Sequence, residues 1–280
     1  MQINPQLKRI KVSFNVTEEI ERFVYVYLIM AMNIHIIDTG VAGTEKIIED
    51  YLKNIGRNIS DTKSILLTHS HPDHIGSAFA IKELSDCAVY APEAETSWIE
   101  NIDKQFSERP IPNFYTLLNK SVSVAKGLKG NDILMLEDGV TIKVVNTRGH
   151  SAGSLSFLWI ERGELFTGDS IPVPGDIPIY VSPKDSIETL KKLLAIDGVK
   201  RYLPSWDDVY DQKTGAAMIK KSLDFLMLIS DTVKNVWEDS DDKDREKIYA
   251  RTCVALHLEQ LAQNPLFKTS VFANIKEMSE

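Results

Sequence analysis

The chain has 280 residues, 43% hydrophobic and 26% charged, with 32 Lys+Arg against 40 Asp+Glu and a net charge of −8. That length can hold one large α/β domain with an appendage around a substantial core. An acidic balance without a long basic stretch argues against an extended nucleic-acid surface, and nucleic acid is not an expected partner. Two cysteines, Cys87 and Cys253, are too few and too far apart for a disulfide framework, and each reads as a reduced, buried residue.

In chain order, residues 1–8 lack the charged-then-apolar layout of a secretion signal. Residues 23–37 form the longest apolar stretch, shorter than the roughly 18–20 residues of a spanning helix and interrupted by Asn33 and His35. Their Val, Ile and Tyr content predicts two strands joined near residues 30–33. No membrane anchor is expected, and a cytoplasmic location is the simplest placement. Ile47, Ile48, Tyr51 and Leu52 predict a helix over 44–54, with Gly56 just beyond as its stop. Strand Ile65-Leu66-Leu67, a helix over 75–84 opening with Gly76, and strand Ala88-Val89-Tyr90 follow, an alternation that suits an α/β sandwich.

Residues 93–130 lose strand character. A helix around Trp98, Ile99 and Ile102 is interrupted by Pro110-Ile111-Pro112, and the segment reads either as a pocket wall or as a surface excursion packed on the sheet. Strands return at 141–145, 155–160 and 165–167, the last two joined by the turn Glu161-Arg162-Gly163-Glu164. Ile187, Leu190, Leu193 and Leu194 give the helix over 182–195 one apolar face, and a strand follows at 200–203. Beyond Asp211 the pattern is helical over 215–237 and 248–261. A charged, solvated interval separates the two, and Pro265 punctuates the tail.

The chemistry concentrates at Thr68-His69-Ser70-His71-Pro72-Asp73-His74, directly after an apolar strand and holding three of the chain's six histidines. Neutral imidazole and carboxylate are common ligands of zinc and related divalent metals. His69 and His71 place two donors on one side of an extended chain, and Asp73-His74 can supply a second set, so one loop could serve two metals. Three further segments bear on this one: Ile36-Ile37-Asp38-Thr39-Gly40 upstream, Thr147-Arg148-Gly149-His150-Ser151-Ala152-Gly153-Ser154 downstream, and Leu165-Phe166-Thr167-Gly168-Asp169-Ser170 at a strand end.

Taken together over roughly residues 23–206, these four motifs resemble the metallo-β-lactamase superfamily, with Arg148 standing where that family usually has proline. The resemblance implies a four-layer αββα sandwich over 1–210 as the catalytic domain. Residues 211–280 would be a helical C-terminal extension, packed on the sandwich or forming a homodimer contact. It implies that His69, His71 and His150 bind a first metal, that Asp73 and His74 bind a second, and that Asp169 bridges them. Asp38, also a plausible turn residue before Thr39-Gly40, would hydrogen-bond near the ligand loop.

A second position departs from the family more sharply. Where a closing histidine is usual, this chain reads Pro204-Ser205-Trp206-Asp207, and indole cannot ligate a metal. Asp207 is the candidate substitute; otherwise the second site is completed by water, weak or empty. His35 and His257 read as structural or surface imidazoles. Tyr180 is a candidate proton donor or oxyanion contact and Trp206 a candidate apolar wall of the pocket, each set against plain core packing.

The expected cofactors are two divalent ions, zinc foremost, with iron as an alternative. The expected activity is a hydrolase in which metal-held hydroxide, oriented by Asp73, cleaves an ester, thioester, lactone or related bond in a small molecule. Aspartate at 169 resembles the thioesterase and lactonase-like branches rather than true β-lactamases. Two alternatives stay open: a mononuclear iron oxidoreductase acting on a small thiol, and a non-catalytic metal-binding module.

Overall fold

A computed structural model describes residues 2–16 and 20–279. Its first sheet carries strands in the order β1 (Gln2–Asn4), β2 (Leu7–Asn15), β3 (Glu21–Met30), β4 (Ile34–Ile37), β5 (Thr62–Leu66), β6 (Ala88–Pro92) and β7 (Lys126–Leu128). Neighbours are antiparallel as far as β4 and parallel from there to β7. The second sheet runs β13-β12-β11-β10-β9-β8, built from β8 (Ile133–Glu137), β9 (Val140–Asn146), β10 (Leu155–Trp159), β11 (Glu164–Gly168), β12 (Arg201–Pro204) and β13 (Tyr210–Asp211).

The strand period of two sorts each sheet's side chains into different layers. On β4 and β5, Ile36 and Ile65 join the outer layer beneath helices α1 (Thr44–Asn54), α2 (Pro72–Ile75) and α3 (Ala78–Ser85), where they meet Ile48, Leu52, Ile75 and Ile81. Their neighbours Ile37 and Leu66 point the other way, into the layer between the sheets, with Ile142, Val144, Phe157, Trp159 and Phe166. On β11, Leu165 faces outward to Leu190, Leu193, Ile219 and Leu226, which come from α7 (Pro183–Leu194) and α8 (Gln212–Glu238). The result is helix, sheet, sheet, helix, the expected αββα order. No described helix is long and apolar enough to cross a membrane.

Several local expectations are corrected. Residues 2–15 form two strands that the sequence reading did not anticipate; buried Lys8 and Arg9 break the apolar pattern of β2. The helix expected over 75–84 is interrupted after Ile75, because Gly76 sits against Ala42 N and Leu117 O at distances that a Cβ could not tolerate. The helix expected over 248–261 ends at Ala255 in α9 (Arg245–Ala255), where His257 takes a positive φ of 55°. Pro265 opens α10 (Pro265–Ser279) rather than ending a helix, as proline at a first helical position can. Segment 93–130 contributes α4 (Thr96–Ile99), α5 (Ile102–Glu108) and α6 (Phe114–Leu117), packed on the outer layer through Ile99, Ile102, Phe114 and Leu117.

The C-terminal helices have their own apolar seam, in which Ile229, Val233, Ile248, Phe267 and Val271 are buried together. Through α8 they continue the outer layer of the second sheet. This arrangement places α10 beside the strand ends where the motif residues gather.

Candidate metal centre

The motif loops leave the strands at one end of the sandwich, the usual place for reactive side chains on a rigid scaffold. His69, His71 and His150 come together with Asp169, their ligand atoms all within 4.8 Å of one another. His150 Nε2 lies 2.9 Å from His71 Nδ1 and 3.4 Å from Asp169 Oδ2. His69 Nε2 is 3.9 Å from that same oxygen and His74 Nε2 3.3 Å, and Asp73 Oδ2 lies 3.7 Å from His74 Nε2. The structure therefore gathers His69, His71, Asp73, His74, His150 and Asp169 around one carboxylate.

Hydrogen bonds on the far side of His150, His69 and His74 orient these rings. A carbonyl can only accept, so His150 Nδ1 carries its proton toward Ile179 O at 2.9 Å and Nε2 faces the cluster with a lone pair. Thr68 Oγ1 donates to Asp38 Oδ2 at 2.8 Å and so accepts from His69 Nδ1 at 2.9 Å. His74 Nδ1 meets Asp38 Oδ2 at 2.9 Å. Asp38, in the left-handed region at φ 56°, also accepts from Thr68 N at 2.8 Å. One carboxylate thus fixes two rings, which is how outer carboxylates commonly set ligand tautomers.

Electrostatics divide the cluster. Burial first, then the neighbouring rings and Arg109, hold His69 and His71 well below the ordinary imidazole value. Burial lowers His150 as well, against an opposing pull from Asp169. For His74 burial acts the same way, yet Asp169, Asp73 and Asp38 outweigh it and raise the ring well above its ordinary value. Burial raises the Asp73 carboxyl, partly offset by His74. Burial would raise Asp169 too, but His74 foremost and then His150 reverse this and hold it low.

These residues fit a divalent ion. His69 Nε2, His74 Nε2 and Asp169 Oδ1 are buried without a hydrogen-bond partner, a costly arrangement for polar atoms unless something binds there. Neutral nitrogen lone pairs facing one another beside a carboxylate are the donor set that zinc and its neighbours take.

Two glycines permit the approach. Gly168, at φ 52°, brings the end of β11 against Thr68, where a Cβ would meet Oγ1 at 2.8 Å. Gly149, at φ 129°, packs so tightly on Ser186 that a Cβ would come within 2.3 Å of its Oγ. Both precede a candidate ligand, Asp169 and His150 respectively.

The remaining expected residues stand apart. Asp207 lines the cleft beside the cluster; its carboxylate accepts from Tyr210 Oη and from Asp208 N, and it is not among the residues whose candidate ligand atoms converge. Tyr180 is a correction: it is 1% exposed, packs in the outer layer of the second sheet, and pairs its hydroxyl with Asn274 Nδ2 at 2.8 Å. It does not reach the cleft. Trp206 does line the cleft, and its buried Nε1 has no hydrogen-bond partner. His35 is buried against Ser64 Oγ at 2.8 Å, and His257 is exposed.

Two functional groups escaped sequence reasoning. Glu95, 5% exposed, accepts from Ser70 N at 2.7 Å, from Gly153 N at 2.6 Å and from Ser151 Oγ, and so ties the His69–His74 loop to the His150 loop. No motif surrounds it in sequence; it becomes visible only once the two loops meet. Arg109, half-buried just after α5, places its charge near Asp73 and Glu95. Gln105 anchors the same segment by donating to Ser70 O at 2.6 Å.

Comparison with known proteins agrees with this geometry. Residues 21–205 match the model of the metallo-beta-lactamase superfamily. A probable metallo-hydrolase of Methanocaldococcus jannaschii is 25% identical over 201 residues, 66% of this chain and 88% of that one. A hydroxyacylglutathione hydrolase of Chelativorans is 28% identical over 133 residues, spanning 47% of this chain and 43% of its own length. Among solved structures, a metallo-beta-lactamase family protein of Thermus thermophilus superposes with a TM-score of 0.74 at 19% identity. That match covers 99% of this chain and 94% of that one, so the C-terminal helices belong to the shared fold.

Proposed function

The chain belongs to the metallo-beta-lactamase superfamily, and on that footing we propose that it is a metal-dependent hydrolase cleaving an ester, thioester, lactone or related bond in a small molecule. The observation that carries the proposal is the convergence of three histidine nitrogens on Asp169, with buried donor atoms left unpaired. His69, His71 and His150 would hold one divalent ion, zinc foremost, and Asp73 and His74 a second, with Asp169 between them. Ions bound there would acidify water near neutral pH and polarise the substrate carbonyl.

The chain's own residues supply the rest. Asp73 and Asp169 offer carboxylate oxygens on one side of the cluster to orient the attacking water and accept its proton. Asp38, Thr68 and Ile179 O keep the ring protons pointing away from the reaction. The low basicity of His69 and His71 favours rings that stay neutral, the form in which they ligate. Likeness to hydroxyacylglutathione hydrolases at 28% identity supports a thioester as the first substrate class to examine.

With Trp206 in place of a donor and Asp207 turned to Tyr210, the second set has fewer ligands than the first. That observation favours one alternative, a single-iron enzyme oxidising a small thiol. Elemental analysis and an acyl-thioester assay decide between them. Zinc with thioester hydrolysis supports the hydrolase, whereas iron with thiol-dependent oxygen consumption and no hydrolysis would replace it.

A further inference from the structure

Beside His150 and Asp169 opens a cleft. Its walls come from the segment after Asp169, through Ile171, Val173, Ile177 and Ile179, from Trp206, and from Leu266 of α10. The charged side chains on its lining are engaged. Arg22 lies 3.6 Å from Asp176, and Asp207 accepts from Tyr210. Among the described lining residues, the one Lys or Arg is Arg22, which faces Asp176. The cleft is contiguous with the candidate ligands, since His150 and Asp169 are part of its lining.

The apolar wall is held in place by the C-terminal extension. Ser270 Oγ donates to Pro178 O at 2.7 Å and accepts from Tyr180 N at 3.0 Å, and Asn274 Nδ2 donates to Tyr180 Oη at 2.8 Å. The clasped segment includes Ile179, whose carbonyl orients His150. One helix, α10, therefore shapes the cleft through Leu266 and fixes the loop that carries both the wall and a ring-orienting carbonyl.

We propose that this cleft is the acyl subsite and that the substrate is an aliphatic acyl thioester or ester, with Leu266 a specificity-determining residue. The inference rests on the hydrolase reading above and deepens it. In the reaction, the acyl–sulfur or acyl–oxygen bond breaks and a carbon–oxygen bond to water forms. One water proton passes to the departing thiolate or alkoxide, leaving a carboxylic acid and a thiol or alcohol. The acyl chain lies against Ile171, Ile177 and Leu266 throughout. A short hydroxyacyl group would gain nothing from Ile171, Ile177 and Leu266, which offer its hydroxyl no partner.

The test is a series of N-acetylcysteamine thioesters bearing acetyl, lactoyl, butyryl and hexanoyl groups, with titration of acetate and hexanoate followed by tryptophan fluorescence. Hydrolytic efficiency is expected to rise about fourfold per buried methylene, with lactoyl well below butyryl and hexanoate binding more tightly than acetate. Leu266→Trp, which fills the cleft, should flatten the series, and the wild-type titrations need no variant to fold. Acetyl or lactoyl as the best substrate would overturn the acyl-subsite inference and leave the hydrolase standing. If none of these thioesters is cleaved, the thioester form of the hydrolase reading fails. The hexanoate titration then decides the subsite independently: tighter binding than acetate sustains it, and equal binding removes it.

Discussion

On one side of Asp169 three imidazoles turn ring nitrogens toward one another. On the other a single imidazole, His74, stands among carboxylates, with the Trp206 indole nearby where a further donor would close the set. The first group is buried and held below ordinary basicity by that burial and by the crowding of like rings. The second draws positive charge, since its carboxylates raise His74 in spite of burial. Neutral donors at close range give affinity and geometry, while negative charge alone gives attraction without a fixed coordination shell. On the proposed reading, the difference would make the first site tight and the second weak, both fed by one loop.

The largest effect that would break this contrast is the loss of a first-set donor. His150→Ala is expected to release the tight metal and lower hydrolysis by roughly 10³-fold or more, the scale on which removing preorganised catalytic electrostatics acts. Retention of metal and activity would show that the ring is not a ligand. Asp73→Asn comes next. Hydrolysis should fall by about 10²- to 10³-fold, as loss of a general base does, while the tight metal stays bound. Joint loss of metal and activity would move Asp73 into the first set.

Much of this contrast could be read before any coordinates. The four motifs lie in loops at strand ends, and the αββα layering followed from the family resemblance and the alternation of strands with helices; which of Ile36/Ile37 and Leu165/Phe166 faces which layer could not be read, because both members of each pair are apolar. What could not be read depends on distant segments meeting. Glu95 matters because Ser70 and Gly153 converge on it from 25 and 58 residues away. Leu266 matters because α10 returns to the mouth of the site. Tyr180 looked like a pocket residue because it neighbours one; Ile179 faces the cleft, and Tyr180, one position on, faces Asn274. Strand β2 was hidden by Lys8 and Arg9, buried because Arg9 stacks 3.9 Å over Tyr25 and bonds to Asp207 O.

Smaller effects sharpen the account of how the first set is held. Glu95→Gln replaces an acceptor by a group that must turn an N–H toward donors. Metal affinity, measured by chelator competition, is expected to drop about 10- to 100-fold, as for other residues that orient ligands. Unchanged affinity would reduce Glu95 to a packing role. The smallest effect is remote from the site. Burial lowers His35 below its ordinary value, against a weaker opposing pull from Glu137. The unfolded chain then binds the proton more readily. The stability due to a neutral His35 is present above about pH 6.5 and is lost as pH falls through the lower folded value. Melting of the metal-loaded protein between pH 7.5 and 5.5 should therefore fall more steeply in the wild type than in His35→Gln. Equal slopes would contradict this.

The most direct measurement is metal content per chain, by elemental analysis after dialysis against a weak chelator, for the wild type and for Trp206→His. About one retained equivalent in the wild type is expected, rising toward two when an imidazole replaces the indole beside Asp169. Two tightly held equivalents in the wild type, or none, would contradict the division of the site into a complete half and an incomplete one.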